Sequence, residues 1–304
     1  MAKAVVALPG LTVPLPNSQF RLAFDGNGFD IDRFSSRIGE AKLLATYRFD
    51  PAASVPERVS VKLSRADLSE LQGLAVPVLR PSSLLARLGV LRRSMPDWMR
   101  SLNLQGDIAV DHLDIGNQAV GSLTTLLQWQ GTDIRFPRFR LHLPDGVAEG
   151  AASLDVRGPS PKYEFEGNLS NVAWRGGQVT ASGVAQAAGT GAELFRSLQA
   201  SGNFSGQDLR LSPEDSFSKL QGAFDLTFDQ GWPDLHLNAV TALQDGVDWT
   251  GQAESQSDGT LLLDLTREGQ QRHIVSTLSF PQPSALSLFV RPVVRVSEQE
   301  GPAF

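Results

Sequence analysis

Tyr163-Glu164-Phe165-Glu166-Gly167-Asn168-Leu169 is the stretch whose parity decides the fold. Tyr163, Phe165 and Leu169 share one parity with Gly167, whereas Glu164, Glu166 and Asn168 share the other. Successive side chains of a strand point to opposite faces, so this segment has one apolar and one wet face. It lies within Arg138–Leu211, where the same alternation returns between turn residues such as Asp145-Gly146 and Gly176-Gly177. Short alternating runs joined by such dipeptides predict an antiparallel meander.

Outward from this stretch the alternation is widespread. Toward the N-terminus it predicts strands at Phe20–Asp25, Phe29–Phe34, Lys42–Asp50 and around Val59, Val61 and Leu63, with an Asn27-Gly28 turn. It resumes in Leu104–Leu113, Val120–Gln130, Asp133–Phe136, Arg138–Leu143, Ala148–Val156, Lys162–Leu169 and Gln178–Ala187. Toward the C-terminus it marks Ala200–Phe204, Asp208–Leu211, Ala223–Phe228, Leu235–Thr241, Val247–Glu254, Thr260–Thr266, His273–Phe280 and Leu286–Val294.

The period changes in two places. Asp67 is placed to cap a short helix carrying Leu68 and Leu71, and Leu84, Leu85, Leu88 and Leu91 occupy one helical face after Pro81. A helical insertion is therefore expected over about 67–102, suited to packing over one end of the sheet. A brief helix is expected at Ala192–Leu198. A degenerate repeat, Leu104-Gln105-Gly106, Leu198-Gln199-Ala200 and Leu220-Gln221-Gly222, precedes three strands and suggests one supersecondary unit reused.

Composition bounds the function. A chain of 304 residues with 41% apolar and 20% charged residues is a folding chain, long enough for one elongated β protein. A net charge of −6 argues against nucleic acid as partner, because that recognition usually needs a basic patch. The absence of cysteine excludes disulfides, thiol nucleophiles and Cys-based zinc sites. The apolar run Ala4–Leu8 is cut by Pro9, so neither a signal h-region nor a span of about 20 residues is expected at the start.

Catalytic chemistry finds no constellation. His112, His142, His236 and His273 lack ligand spacing and read as surface histidines, apart from Asp111 and Asp114 beside His112. Gly189-Thr190-Gly191 precedes a helix as phosphate loops do, but lacks the Gly-Lys-Ser/Thr ending. Glu164 and Glu166 share a water-facing parity instead of flanking a cleft. No catalytic residue, metal site or cofactor is expected. Phe304 ends the chain as an aromatic ends many outer-membrane barrels, but Ser297–Ala303 is no amphipathic strand and reads as a frayed tail.

Leu104–Leu113 (LQGDIAVDHL), Leu141–Val156 (LHLPDGVAEGAASLDV) and Gly189–Leu211 (GTGAELFRSLQASGNFSGQDLRL) resemble the AsmA-like family of bacterial envelope proteins, which includes TamB-type proteins. The third segment is the most specific: a Gly-rich start, a short leucine helix, then Gly-x-Phe-x-Gly-x-Asp-Leu. The resemblance covers about residues 55–230 and makes 1–304 a single elongated region. It implies a mainly β fold, an elongated, twisted antiparallel groove formed by an open, curled sheet with a few short helices. It also implies a non-enzymatic role in outer-membrane lipid homeostasis within the periplasm or cell envelope. The implied partners are phospholipid acyl chains and envelope proteins of the inner or outer membrane. Full-length members usually carry an N-terminal transmembrane helix, which this sequence departs from. On parity, Phe20, Phe24, Ile134, Phe136, Tyr163, Phe165, Phe224, Leu226, Phe228, Leu235 and Leu237 are the expected lipid-facing residues. The alternative is a β-rich binding or adhesion module, a sandwich or solenoid, whose apolar face is sealed.

Overall fold

Alternation requires each strand to hide one face, and the chain does so with one sheet. The computed structural model describes residues 4–6, 15–38, 40–67, 101–115, 118–158, 160–189, 192–229, 232–256 and 258–277. The N-terminal strands are β1 (Ala4–Val6), β2 (Leu15–Asp25), β3 (Gly28–Ile38), β4 (Ala41–Phe49), β5 (Glu57–Leu63) and β6 (Ala66–Asp67). The middle strands are β7 (Asn103–Ile115), β8 (Gln118–Gln130), β9 (Asp133–Leu143), β10 (Gly146–Asp155), β11 (Lys162–Trp174) and β12 (Gly177–Ala188). A single turn of helix, α1 (Ala192–Arg196), precedes β13 (Gln199–Arg210). The sheet ends with β14 (Ser216–Asp229), β15 (Trp232–Gln244), β16 (Val247–Ser255), β17 (Thr260–Arg267) and β18 (Gln270–Thr277).

Strands pair with their sequence neighbours from β1 to β5 and from β7 to β18, so the order follows the chain; β5 and β6 do not pair with each other but both pair with β7. The sheet is mainly β, open and curled, as expected. All pairings are antiparallel save at one place: β5 and β6 both run parallel to β7. The antiparallel meander is therefore interrupted there. The expected helical insertion at 67–102 falls largely on residues 68–100, which lie outside the described residues, as do Leu286–Val294 and the tail 297–304. At the insertion's near edge, Asp67 belongs to β6 and pairs in register with Asp114; the helix it is expected to cap lies outside the described residues.

Two expected breaks are absent. Asp133–Phe136 and Arg138–Leu143 are one strand, β9, because Pro137 sits at a bulge where register shifts opposite Gly150–Ala152. Proline lacks an N–H, and a bulge removes the need for one. The strands expected at Ala200–Phe204 and Asp208–Leu211 are likewise joined in β13, which ends at Arg210, with Asp208 at φ 54°.

Further irregularities keep the faces separate along strands of 11 to 14 residues. Arg33, Asn171 and Ala239 have positive φ where register shifts between Ile31 and Phe34, Leu169 and Val172, and Leu237 and Val240. A bulge inserts one residue and so reverses parity beyond it. Apolar residues switch parity at the same positions, from Leu169 to Val172 and Trp174, and from Leu237 to Val240 and Ala242.

The buried apolar residues form three clusters. Leu15, Leu43, Leu63, Ala66, Val110 and Leu113 lie in β2 to β7. Leu127, Ile134 and Val156 form the second, with Trp129, Phe136 and Leu154 against it. The largest centres on Leu209, Phe217, Leu220, Val240, Leu263 and Leu265 near the C-terminal edge.

Candidate functional site

The site is a face, and it can be traced by cross-strand partners. Starting at β2, Phe24 faces Phe29, Phe29 faces Phe49, and Phe49 faces Glu57. Glu57 faces Leu104, which faces Trp129, then Ile134, Leu154 and Tyr163. Further rows continue through Phe165, Ala185, Ala200, Leu226 and Leu235. At the C-terminal edge, Leu237 faces Ala253, Ala253 faces Leu263, and Leu263 faces Ile274. One apolar face thus runs from β2 to β18, and no second sheet covers it among the described residues.

Glycines tighten this face at its centre. Gly150, Gly167, Gly183 and Gly202 are consecutive cross-strand partners on β10, β11, β12 and β13. A Cβ on Gly183 would lie 2.2 Å from the Ser201 carbonyl oxygen, and one on Gly202 would lie 2.0 Å from that of Ser182. The two backbones occupy space that any side chain would need, the close approach that strand glycines permit. Gly150 and Gly167 stand in the same relation to the Glu166 and Glu149 carbonyls, at 2.1 and 2.4 Å.

Beyond this ladder the sheet curls until distant strands share a hollow. Leu169, Val172 and Trp174 of β11 meet Leu261 and Leu263 of β17 across a cavity of about 420 Å³. Phe204, Leu220, Phe224, Leu235 and Leu237 complete most of its wall, and every lining side chain is apolar. Ser276 Oγ on β18 donates to the Leu211 carbonyl at 3.0 Å, tying the edge strand to the turn after β13. Arg272 extends this closure. Its Nη1 donates to Gln244 Oε1 at 2.6 Å, and its Nη2 pairs with the buried Asp215 carboxylate.

At the opposite edge the face is uncovered. Phe20 is 48% exposed and Phe24 77%. Phe20 stacks on Phe34, and Phe24, Phe29, Tyr47 and Phe49 form an aromatic group beside Glu57. Tyr47 Oη donates to Glu57 Oε2 at 3.1 Å. Burial and the neighbouring Glu57 charge push the Tyr47 hydroxyl up to about 12.

The other face is charged. Cross-strand pairs include Lys62 with Asp111 at 3.1 Å and Arg140 with Glu149 at 3.0 Å. These are exposed pairs of small energetic weight. Hollows of about 700 and 970 Å³ lie along the strand centres, lined chiefly by outward residues such as Arg135, Glu164, Glu166, Lys62 and Arg140. They are larger than the apolar cavity, but they carry the charges that face water.

The expected residues divide by position. Phe224, Leu235 and Leu237 line the apolar cavity. Ile134 and Phe136 belong to the middle cluster. Tyr163 shares the face, and Phe165 is 37% exposed on it, with its ring 5.2 Å from Phe139. Leu226 and Phe228 face Leu235 and Pro233 at the far end of β14. Phe20 and Phe24 stand apart at the uncovered edge. Val172, Trp174, Leu209, Leu211, Leu261 and Leu263 were not expected. The parity switch around Asn171, an asparagine tolerant of positive φ, is the signal for the first two.

His112, His142, His236 and His273 are all exposed, and no group of carboxylates and histidines able to hold a metal occurs among the described residues. No helix among them is long and apolar enough to cross a membrane. No protein-family model matches the chain, and neither a curated protein nor a solved structure matches it.

Proposed function

We propose that the apolar trough holds phospholipid acyl chains, making this a non-enzymatic lipid-handling protein of the bacterial periplasm or cell envelope. The observation that carries this reading is the cavity bounded by Leu169, Trp174, Phe224 and Leu263, which continues into an apolar face running across the sheet. Its volume falls within the range of small-molecule sites, about 300–1,000 Å³. An acyl chain entering it gains about 0.8 kcal/mol per buried methylene. The headgroup would stay at the wet rim. The resemblance of Leu104–Leu113, Leu141–Val156 and Gly189–Leu211 to AsmA-like proteins supports the same role and supplies the envelope setting.

The test places a charge on each face of β14. Phe224 lines the cavity, whereas Thr227 is exposed on the other parity. A carboxylate buried without a partner costs several kcal/mol or takes up a proton. A folded Phe224→Asp protein should lose photocrosslinking to a lipid probe, and Thr227→Asp should keep it. If wild type captures no lipid where a known lipid carrier does, the reading fails and the binding-module alternative replaces it.

A further inference from the structure

We propose that Glu57 and the aromatic rings beside it bind the ammonium group of an amine-bearing phospholipid headgroup at the uncovered edge of the trough. The inference rests on the lipid reading above and names the headgroup class. From β2 to β5, Glu57 is the one carboxylate on the apolar parity; Asp25, Asp30 and Asp32 fall on the other. A charge on this face, where the remaining neighbours are Phe49 and Leu104, needs a purpose beyond solubility.

The surroundings suit a cation. Phe29 lies at the centre of the group, with ring centroids 6.4 Å from Phe24, 5.6 Å from Tyr47 and 5.7 Å from Phe49. The rings are tilted instead of stacked, so ring faces remain for a cation, which is attracted within about 6 Å of a centroid. Tyr47 Oη occupies Glu57 Oε2, and Oε1 has no hydrogen-bond partner among the described residues. The raised Tyr47 hydroxyl stays a donor and holds the carboxylate in place. An ammonium group could therefore donate to Oε1 while resting against the rings. A headgroup with only negative charge would meet repulsion. The acyl chains would run from here along the apolar face, since Glu57, Leu104 and Trp129 form one cross-strand row.

The experiment incubates the full chain with vesicles of equal phosphatidylethanolamine and phosphatidylglycerol and weighs the retained lipids by mass spectrometry. Wild type should enrich the ethanolamine lipid by roughly three- to tenfold, the scale of an exposed cation–π contact plus a charge-assisted hydrogen bond. Glu57→Gln keeps an acceptor for Tyr47 but removes the charge; it should retain as much total lipid with the enrichment gone. Glu57→Asp, which keeps the charge, should keep part of it. Equal lipid ratios in wild type and Glu57→Gln overturn the headgroup site and leave the trough reading standing. No retained lipid in wild type overturns both.

Discussion

Adding one methyl group at Gly202 should loosen the centre of the sheet. Its Cβ would lie 2.0 Å from the Ser182 carbonyl oxygen and 2.7 Å from the Gly183 Cα. Real Cβ atoms essentially never come within 3.0 Å of such atoms, so β12 and β13 would have to part by about 1 Å. Overpacking of this kind costs about 1–3 kcal/mol. Replacing glycine by alanine also restricts the unfolded chain and returns about 0.4–1 kcal/mol. The net expectation for Gly202→Ala is a loss of about 1–2 kcal/mol. At about 2–4 °C per kcal/mol for a domain of this size, the melting temperature falls by roughly 2–8 °C. Gly183→Ala should behave alike, because its Cβ would meet the Ser201 carbonyl at 2.2 Å. The double variant should cost less than the sum, since one separation of the strands accommodates both methyl groups. Ser182→Ala, on the exposed parity, serves as control and should stay within about 0.5 kcal/mol. The assay is thermal unfolding followed by circular dichroism. A Gly202→Ala protein as stable as wild type would refute the view that β12 and β13 meet through bare backbone contact at the centre of the sheet.

Other expectations concern the two ends of the trough. In a Tyr163→Phe background Tyr47 is the sole tyrosine, and its phenol absorbance should titrate at about 12, falling only part of the way in Glu57→Gln because burial, the larger cause, remains. Because the folded value is raised above the unfolded 10.0, the associated stability is fully present below pH 10 and is lost as pH rises toward 12; base unfolding of Tyr47→Phe should lack that component. At the other end, Arg272→Ala removes the donor to Asp215 Oδ1 and Gln244 Oε1, leaving the buried Asp215 carboxylate with Ser212 Oγ on Oδ2, and should cost about 1–3 kcal/mol by denaturant unfolding. Restoring balance with Asp215→Asn in the same chain should recover part of that loss.

The fold was legible because alternation is a local signal. Tyr163–Leu169 and Thr260–Thr266 announce their inward residues without reference to partners. What the sequence concealed were places where register overrides local pattern. Pro137 looks like a break, yet β9 carries it at a bulge beside Ala151. Asn171 and Ala239 reverse parity inside β11 and β15, so strands extend past the point where a single period ends. The parallel pairing of β5 with β7 depends on a long-range contact that no local pattern encodes. The same limit applies to the site. Parity assigned Phe224, Leu235 and Leu237 to the apolar face, but only the curl brings Leu261 and Leu263 opposite Leu169 and Trp174. Phe20 and Phe24 have the correct parity and remain uncovered, because parity states a face and not its depth.

The central claim is that the trough holds acyl chains, and its most direct measurement is mass spectrometry of lipid extracted from the full chain expressed in a bacterial envelope and purified without detergent. The account predicts phospholipid bound in stoichiometric amount to wild type and strongly reduced in a folded Phe224→Asp protein. Lipid absent from wild type, or present equally in both proteins, would contradict it.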